Sequence, residues 1–228
     1  MAHAHTAQDH SLTTRLTHWG TTIAFIMLFG SGAAIFNHSP KFKVFGRTLV
    51  LPHLPAWLAI PFAPKIMHYV FAAIFVLCGI LYLVWGLRSG HFSRLIVRGD
   101  DVRKALPMQL YYLGLKKTPP SYRGYNPLQK IAYTTLLFVI SPLIVLSGTA
   151  LLPIHALRPL GTLFFGGAKL WHFGLMWAVC AFVVVHVGMV ASTGLVANIR
   201  AMTSTTVAPG AERAEMRPAT HTIEQSLQ

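Results

Sequence analysis

Of the 228 residues, 54% are hydrophobic and only 11% charged, where a soluble globular domain carries about 25% charged residues; an ordinary water-soluble domain is excluded. The formal net charge of +13 invites a nucleic-acid reading. The Lys and Arg residues are instead segregated between alternate loops, which is a membrane-topology pattern helped by anionic lipid.

Residues 1–14 are polar and His-containing, and predict a flexible N-terminal segment. About 16–36 is the first of four apolar stretches that reach the roughly 20 residues a helix needs to cross hydrocarbon. It lacks a strongly basic n-region and is as long as a full crossing, so it reads as a retained span and not a cleaved signal. Residues 37–64 hold Pro40, Pro52, Pro55, Pro61 and Pro64 around Trp57 and Phe62. They predict an irregular segment at the outer interface with an aromatic anchor, and a docking surface. The second span covers about 66–87. The loop at 88–130 carries Arg88, Arg94, Arg98, Arg103, Lys104, Lys116, Lys117, Arg123 and Lys130. The third span covers about 131–152, and Pro142 within it predicts a kink, or absorption by neighbouring helices and local hydrogen-bond adjustment. The fourth covers about 170–197, and 201–228 predicts a flexible tail.

Arg15, Arg200, Arg213 and Arg217 lie on the side of the 88–130 loop, whereas the other side holds only Lys41, Lys43, Arg47, Lys65, Arg158 and Lys169. The Lys/Arg excess marks the cytoplasm. The predicted fold is therefore an all-α integral membrane protein: a four-transmembrane-helix bundle over 15–200 with both termini cytoplasmic. No internal repeat is visible. Cys78 and Cys180 fall deep in spans and read as packing residues, and no C-x-x-C-H pattern would attach haem covalently.

Of twelve histidines, eight fall in tails or loops. His18, His68, His172 and His186 fall inside the spans, where ionisable groups are rare and face the bundle interior for a functional reason; the plain alternative is a neutral imidazole bonded to a neighbouring helix. His172 and His186 are 14 residues apart, close to four helical turns, so they share a face about 21 Å apart along the axis. His18 opens span 1 from the inside and His68 opens span 2 from the outside. Of the three ways to pair four histidines, only His18 with His186 and His68 with His172 match depth in both pairs. Two facing histidines are what a six-coordinate electron-transfer haem needs, which points to two haems b with the four histidines as axial ligands to iron. Metal transport is the competing reading, but it would normally want carboxylates or sulfur ligands beside the histidines, and no Asp or Glu lies in any span. Gly20, Gly30, Gly32, Gly79, Gly174 and Gly188 could admit a macrocycle or serve ordinary helix packing.

With Arg15-Leu-Thr-His-Trp19, Lys65-Ile-Met-His-Tyr69, Tyr125-Asn-Pro-Leu-Gln-Lys130 and Trp171-His172 followed 14 residues on by His186, the chain resembles the bacterial cytochrome b561 and nickel-hydrogenase cytochrome b superfamily over roughly 11–200. The resemblance implies the same ligand pairs and adds a quinone site beside the inner haem, at Asn126, Gln129 and His186. Tyr125, Lys130 and Arg123 are further candidates there. A turn or helix cap is the alternative reading of Asn126-Pro127. It also implies a periplasmic iron–sulfur or molybdenum oxidoreductase subunit as partner.

The sequence thus reads as a di-haem cytochrome b subunit of the bacterial inner membrane, moving electrons between quinone and a periplasmic oxidoreductase. The alternatives are a stand-alone cytochrome exchanging electrons with a small diffusible species such as superoxide, and a non-haem anchor or metal permease.

Overall fold

The computed structural model describes residues 11–44, 46–122, 124–165, 167–192 and 194–203; most of the two tails, and Arg123, lie outside them. Its elements are α1 (Leu12–His38), a hairpin of β1 (Lys41–Val44) and β2 (Arg47–Val50), α2 (Pro64–Arg88), α3 (Phe92–Leu95), α4 (Gly99–Tyr112), α5 (Pro127–Thr135), α6 (Ser141–Ala150), α7 (Ala168–Ser192) and α8 (Leu195–Thr203). Four rods are long and apolar enough to cross a membrane: α1, α2, the α5–α6 unit from Pro127 to Thr149, and α7.

Side chains facing each other fix the directions. Gly20 of α1 lies beside Cys78 of α2, and Gly32 beside His68, so α1 and α2 are antiparallel. Tyr133 meets Phe182 and Ser147 meets His172, so α5–α6 and α7 are antiparallel as well. The bundle therefore has a near end, where α1 begins and α7 finishes, and a far end, where α2 and α7 begin. α1 is the best-covered span, with Ala24, Gly30, Ser31, Ala33 and Phe36 buried. Small residues on that face let α2 lie close along its length, the usual basis of helix association in lipid. A Cβ on Gly20 would stand 2.8 Å from the Cys78 Sγ, and one on Gly30 would stand 2.6 Å from Ile60. Gly79, Gly174 and Gly188 meet nothing within 4 Å, so of the glycines expected to allow close approach, half do so within the protein.

Pro142 does not break the third rod. It removes one backbone donor, and the chain answers with a π turn at Leu136–Ile140 in which the Ser141 N–H reaches back to the Leu136 carbonyl. A π turn commonly absorbs such a mismatch inside a helix. The fourth span is shorter than its apolar run suggests: α7 stops at Ser192, Gly194 turns with φ +114°, and α8 continues separately.

Both long connections contain regular structure that composition alone did not indicate. At the far end, Lys41–Val44 pairs antiparallel with Arg47–Val50 as a hairpin rather than an irregular segment. Its Phe42 is 1% exposed because it packs against Phe36 and Phe173, while Trp57 and Phe62 stay exposed as an interfacial aromatic belt would. The Lys169 ammonium donates to the Ser39 and Lys41 carbonyls, fastening the strand to α7. At the near end, the basic loop carries α3 and α4. Phe92 seats against Gly86 and against Phe138, and the Val97 N–H donates to Thr134 Oγ1. Asp100 and Asp101 in the first turn of α4 complement its N-terminal dipole.

Asp101, 7% exposed, anchors this loop to the bundle. Burial would push its carboxyl up, but the Arg98 backbone N–H at 2.9 Å and the Lys130 ammonium at 3.1 Å outweigh burial and hold it below the ordinary carboxylate range. Its folded value is depressed, so its stabilisation is fully present above the unfolded carboxylate value of about 3.9. That stabilisation is lost as pH falls through the folded value. Asp101→Asn is expected to weaken docking of α4 by about 2–3 kcal/mol, seen as faster amide exchange across 99–112. Unchanged exchange at neutral pH would show that the ion pair does not hold the loop.

Candidate functional site

The four intramembrane histidines meet as two pairs and only in the depth-matched combination. His18 of α1 faces His186 of α7 at the near end with ring centroids 6.3 Å apart. His68 of α2 faces His172 of α7 at the far end with centroids 6.2 Å apart. These spacings are too long for ring stacking and suit an intervening atom. An imidazole nitrogen binds a transition metal at about 2.0–2.1 Å, and its centroid lies about 1.1 Å behind that nitrogen, so two imidazoles across one metal ion have centroids about 6.3 Å apart. Among the described residues no three His, Cys, Asp or Glu side chains converge. A pair of imidazoles does not complete a protein-only tetrahedral site, but it does complete a macrocycle that brings its own equatorial donors. The donor set therefore fits haem.

A second observation at the near end points the same way. Arg15, one turn before His18 on the same helix face, is only 8% exposed, and its Nε has no hydrogen-bond partner among the described residues. A buried guanidinium without an anion is costly, and a haem propionate is an anion of the right class.

At the far end each histidine is held from behind. The His68 Nδ1 lies 3.1 Å from Ser31 Oγ. The His172 Nδ1 lies 3.2 Å from Ser147 Oγ and 3.0 Å from the Ile144 carbonyl. Donation from Nδ1 to a carbonyl leaves Nε2 as the lone pair that can bind metal. Ser31 and Ser147 are fully buried, and neither was singled out in the sequence. Their signal was a serine followed by glycine inside an apolar span, on the helix preceding each histidine.

At the near end, Phe182 stacks on His186 one turn away, with centroids 5.6 Å apart and planes at 12°. Tyr133 meets Phe182 edge-on, and Tyr125 meets Tyr133, so aromatic rings run from His186 to the start of α5. Trp19 meets the edge of His18 and donates its Nε1 proton to the Met202 carbonyl at 2.9 Å, tying α8 to α1.

Asn126 and Gln129 form a capping box on α5. Asn126 Oδ1 accepts from the Leu128 N–H, Gln129 Oε1 accepts from the Asn126 N–H, and Asn126 Nδ2 donates to the Tyr112 hydroxyl at 2.8 Å. With Asn126 only 3% exposed, the cap reading of Asn126-Pro127 describes what these polar atoms do here. Lys130 is engaged with Asp101.

The sequence profile of the prokaryotic cytochrome b561 family matches residues 9–205. Among curated proteins, a chain of Azospira oryzae named as a protein-methionine-sulfoxide reductase subunit, YedZ1, is 33% identical over 194 residues, covering 80% of this chain and 89% of that one. A B-type cytochrome subunit of a Ni/Fe-hydrogenase from Cupriavidus necator is 26% identical over 189 residues, covering 76% and 74%. The Escherichia coli cytochrome YdhU is 25% identical over 196 residues, covering 78% of this chain but only 65% of its own length.

Removing the Asn126 side chain takes away the cap acceptor, which is worth about 1 kcal/mol at an N-cap. Asn126→Ala is expected to speed amide exchange at Leu128 and Gln129, while Asn126→Asp, which keeps an acceptor oxygen, preserves protection. Equal exchange in the two variants would show that the cap does not order this turn.

Proposed function

The chain belongs to the prokaryotic cytochrome b561 family, and from that premise we propose that it is a di-haem subunit passing electrons between membrane quinone and an oxidoreductase at the periplasmic face. Membership makes it a multi-pass protein of the bacterial inner membrane that transfers electrons on b-type haem. The two-haem reading rests chiefly on two histidine pairs, each at metal-bridging spacing, set about 21 Å apart along α7. In this reading His18 and His186 hold the near-end haem and His68 and His172 the far-end haem. Arg15 takes a propionate of the near-end group. Held by these histidines, the haems would supply one-electron carriers.

The near end is assigned to the cytoplasm because the basic 88–130 loop, the start of α1 and α8 lie there, following the Lys/Arg excess. Quinone is placed at this end, beside α5 and the His186–Phe182–Tyr133 aromatic face. Asn126 and Gln129 belong to this quinone site as the residues that order its edge, since their polar atoms hold the first turn of α5. Hydroxyl groups of Tyr125 and Tyr133 are the nearest candidates to bond quinone oxygens and hand protons to the loop. The membrane domain is 15–200, with the segments before and after it as tails.

The far end carries Lys41, Lys43, Arg47, Lys65, Arg158 and Lys169, and the sequence places no Asp or Glu in residues 10–99 or 102–211. A face of one sign favours an acidic partner surface. Two relatives are named as subunits of a reductase and of a hydrogenase, which favours the partnered reading over a stand-alone cytochrome serving superoxide.

His172→Ala is expected to lower the haem-to-protein ratio from two to one, with the remaining haem still reduced by a quinol analogue. His186→Ala should abolish that reduction. Purified wild-type protein without haem, or a His172 variant that keeps both, would overturn the assignment.

A further inference from the structure

The two far-end histidines are held by one local arrangement used twice. Leu28-Phe-Gly-Ser31-Gly32 in α1 and Ile144-Val-Leu-Ser147-Gly148 in α6 share an aliphatic residue, two intervening positions, then serine and glycine. Each faces a histidine that is the fifth residue of the following span, His68 in α2 and His172 in α7. In both copies the serine hydroxyl meets the histidine Nδ1 and reaches the carbonyl of the aliphatic residue; in the second copy that carbonyl also lies 3.0 Å from Nδ1. In both copies the serine proton is committed elsewhere: Ser31 donates to Met27 at 2.6 Å and Ser147 to Ile144 at 3.1 Å. Each serine oxygen is thereby left to accept from the imidazole N–H. The glycine lies under the ring edge. A Cβ on Gly32 would stand 3.3 Å from His68 Cε1, and one on Gly148 would stand 3.0 Å from His172 Cε1.

We propose that Ser31-Gly32 and Ser147-Gly148 are paired positioning devices that fix the tautomer and rotation of the two far-end ligands and raise their basicity. This rests on the haem reading above. A partner that accepts the second N–H of a metal-bound imidazole makes it a stronger ligand, and hydrogen bonding around the ligands is one of the levers on haem potential. A stronger donor stabilises ferric iron, so each serine oxygen lowers the potential of the far-end haem. The sequence does not repeat the near-end ligands in the same way: fourteen residues after His172 stands His186, but fourteen after His68 stands Tyr82, and thirteen before Ser147 stands Thr134 where thirteen before Ser31 stands His18. The shared Ser-Gly arrangement thus serves a histidine in each copy at the far end.

The test is a potentiometric titration of both haems in the full-length protein for Ser31→Ala, Ser147→Ala, the double variant and Ser147→Thr. Each alanine is expected to shift the far-end ferric:ferrous equilibrium toward ferrous by up to tenfold, about 59 mV for a one-electron couple. The near-end haem should hold its value, and the threonine variant, which keeps a hydroxyl, should stay close to wild type. Gly148→Ala is expected to lower far-end haem occupancy while sparing the near-end haem; this reads out by stoichiometry even where a serine variant assembles poorly. Two haems with unmoved potentials in both serine variants, or equal shifts in both haems, would overturn the proposal and leave the di-haem reading standing. A wild-type protein lacking two haems would instead overturn that reading.

Discussion

A histidine inside a bilayer has two ring nitrogens to satisfy where there is no water to satisfy them, and the bundle is arranged around that requirement. At the far end one nitrogen is settled by the protein, through a serine and a backbone carbonyl on the preceding helix. The two rings of the pair are left with a gap between them, their centroids 6.2 Å apart. Close packing would abolish the gap, so the helices that carry the pairs must be held apart while the bundle remains intact. Aromatic contacts do this between α1 and α7: Phe36 stacks on Phe173 with centroids 4.7 Å apart, and Phe29 meets Trp177. Bulky rings at these levels act as spacers, whereas glycines let α1 approach α2 directly.

The two ends are built differently on this frame. The far end is closed by the β-hairpin, which buries Phe42 and is fastened to α7 through Lys169, so the far-end pair sits under a fixed roof. The near end is assembled from parts that come late in each rod: α8 through Trp19, and α3 and α4 through Phe92 and the Asp101–Lys130 pair. These contacts are polar or aromatic and lie at the ends of the apolar rods. A site that admits a mobile, proton-carrying molecule belongs at such an end, and one that passes only electrons to a docked protein can be sealed.

Spans, their order and the intramembrane histidines were legible in the sequence, because crossing hydrocarbon demands a long apolar run and makes every ionisable exception conspicuous. Pairing by depth was legible too, since antiparallel spans convert sequence position into height. The hairpin at 41–50 was not: five prolines across 37–64 overstate irregularity when most of them flank the strands. Helix α4 was hidden by its low hydrophobicity and by Pro107, although Asp100-Asp101 marked its start. Ser31 and Ser147 escaped because a lone hydroxyl in a span commonly bonds its own helix, and both do; only the fold shows the second partner.

One further regularity follows from where the distortions lie. α7 alone supplies a member to both histidine pairs, so any change in its rise or twist between His172 and His186 would move one pair relative to the other. The segment contains no proline and runs as uninterrupted α-helix from Ala168 to Ser192. Pro142 and its π turn fall instead in the α5–α6 rod, which contributes no histidine and meets the far-end pair through Ile144, Ser147 and Gly148, beyond the distortion. At 3.6 residues per turn, fourteen residues fall about 40° short of four full turns, small enough for both imidazoles to project into the same side of the bundle. A π turn within that interval would add a further mismatch of roughly one residue and swing His186 out of line with His18. The helix that must keep register is regular, and the irregularity is carried where register is not needed.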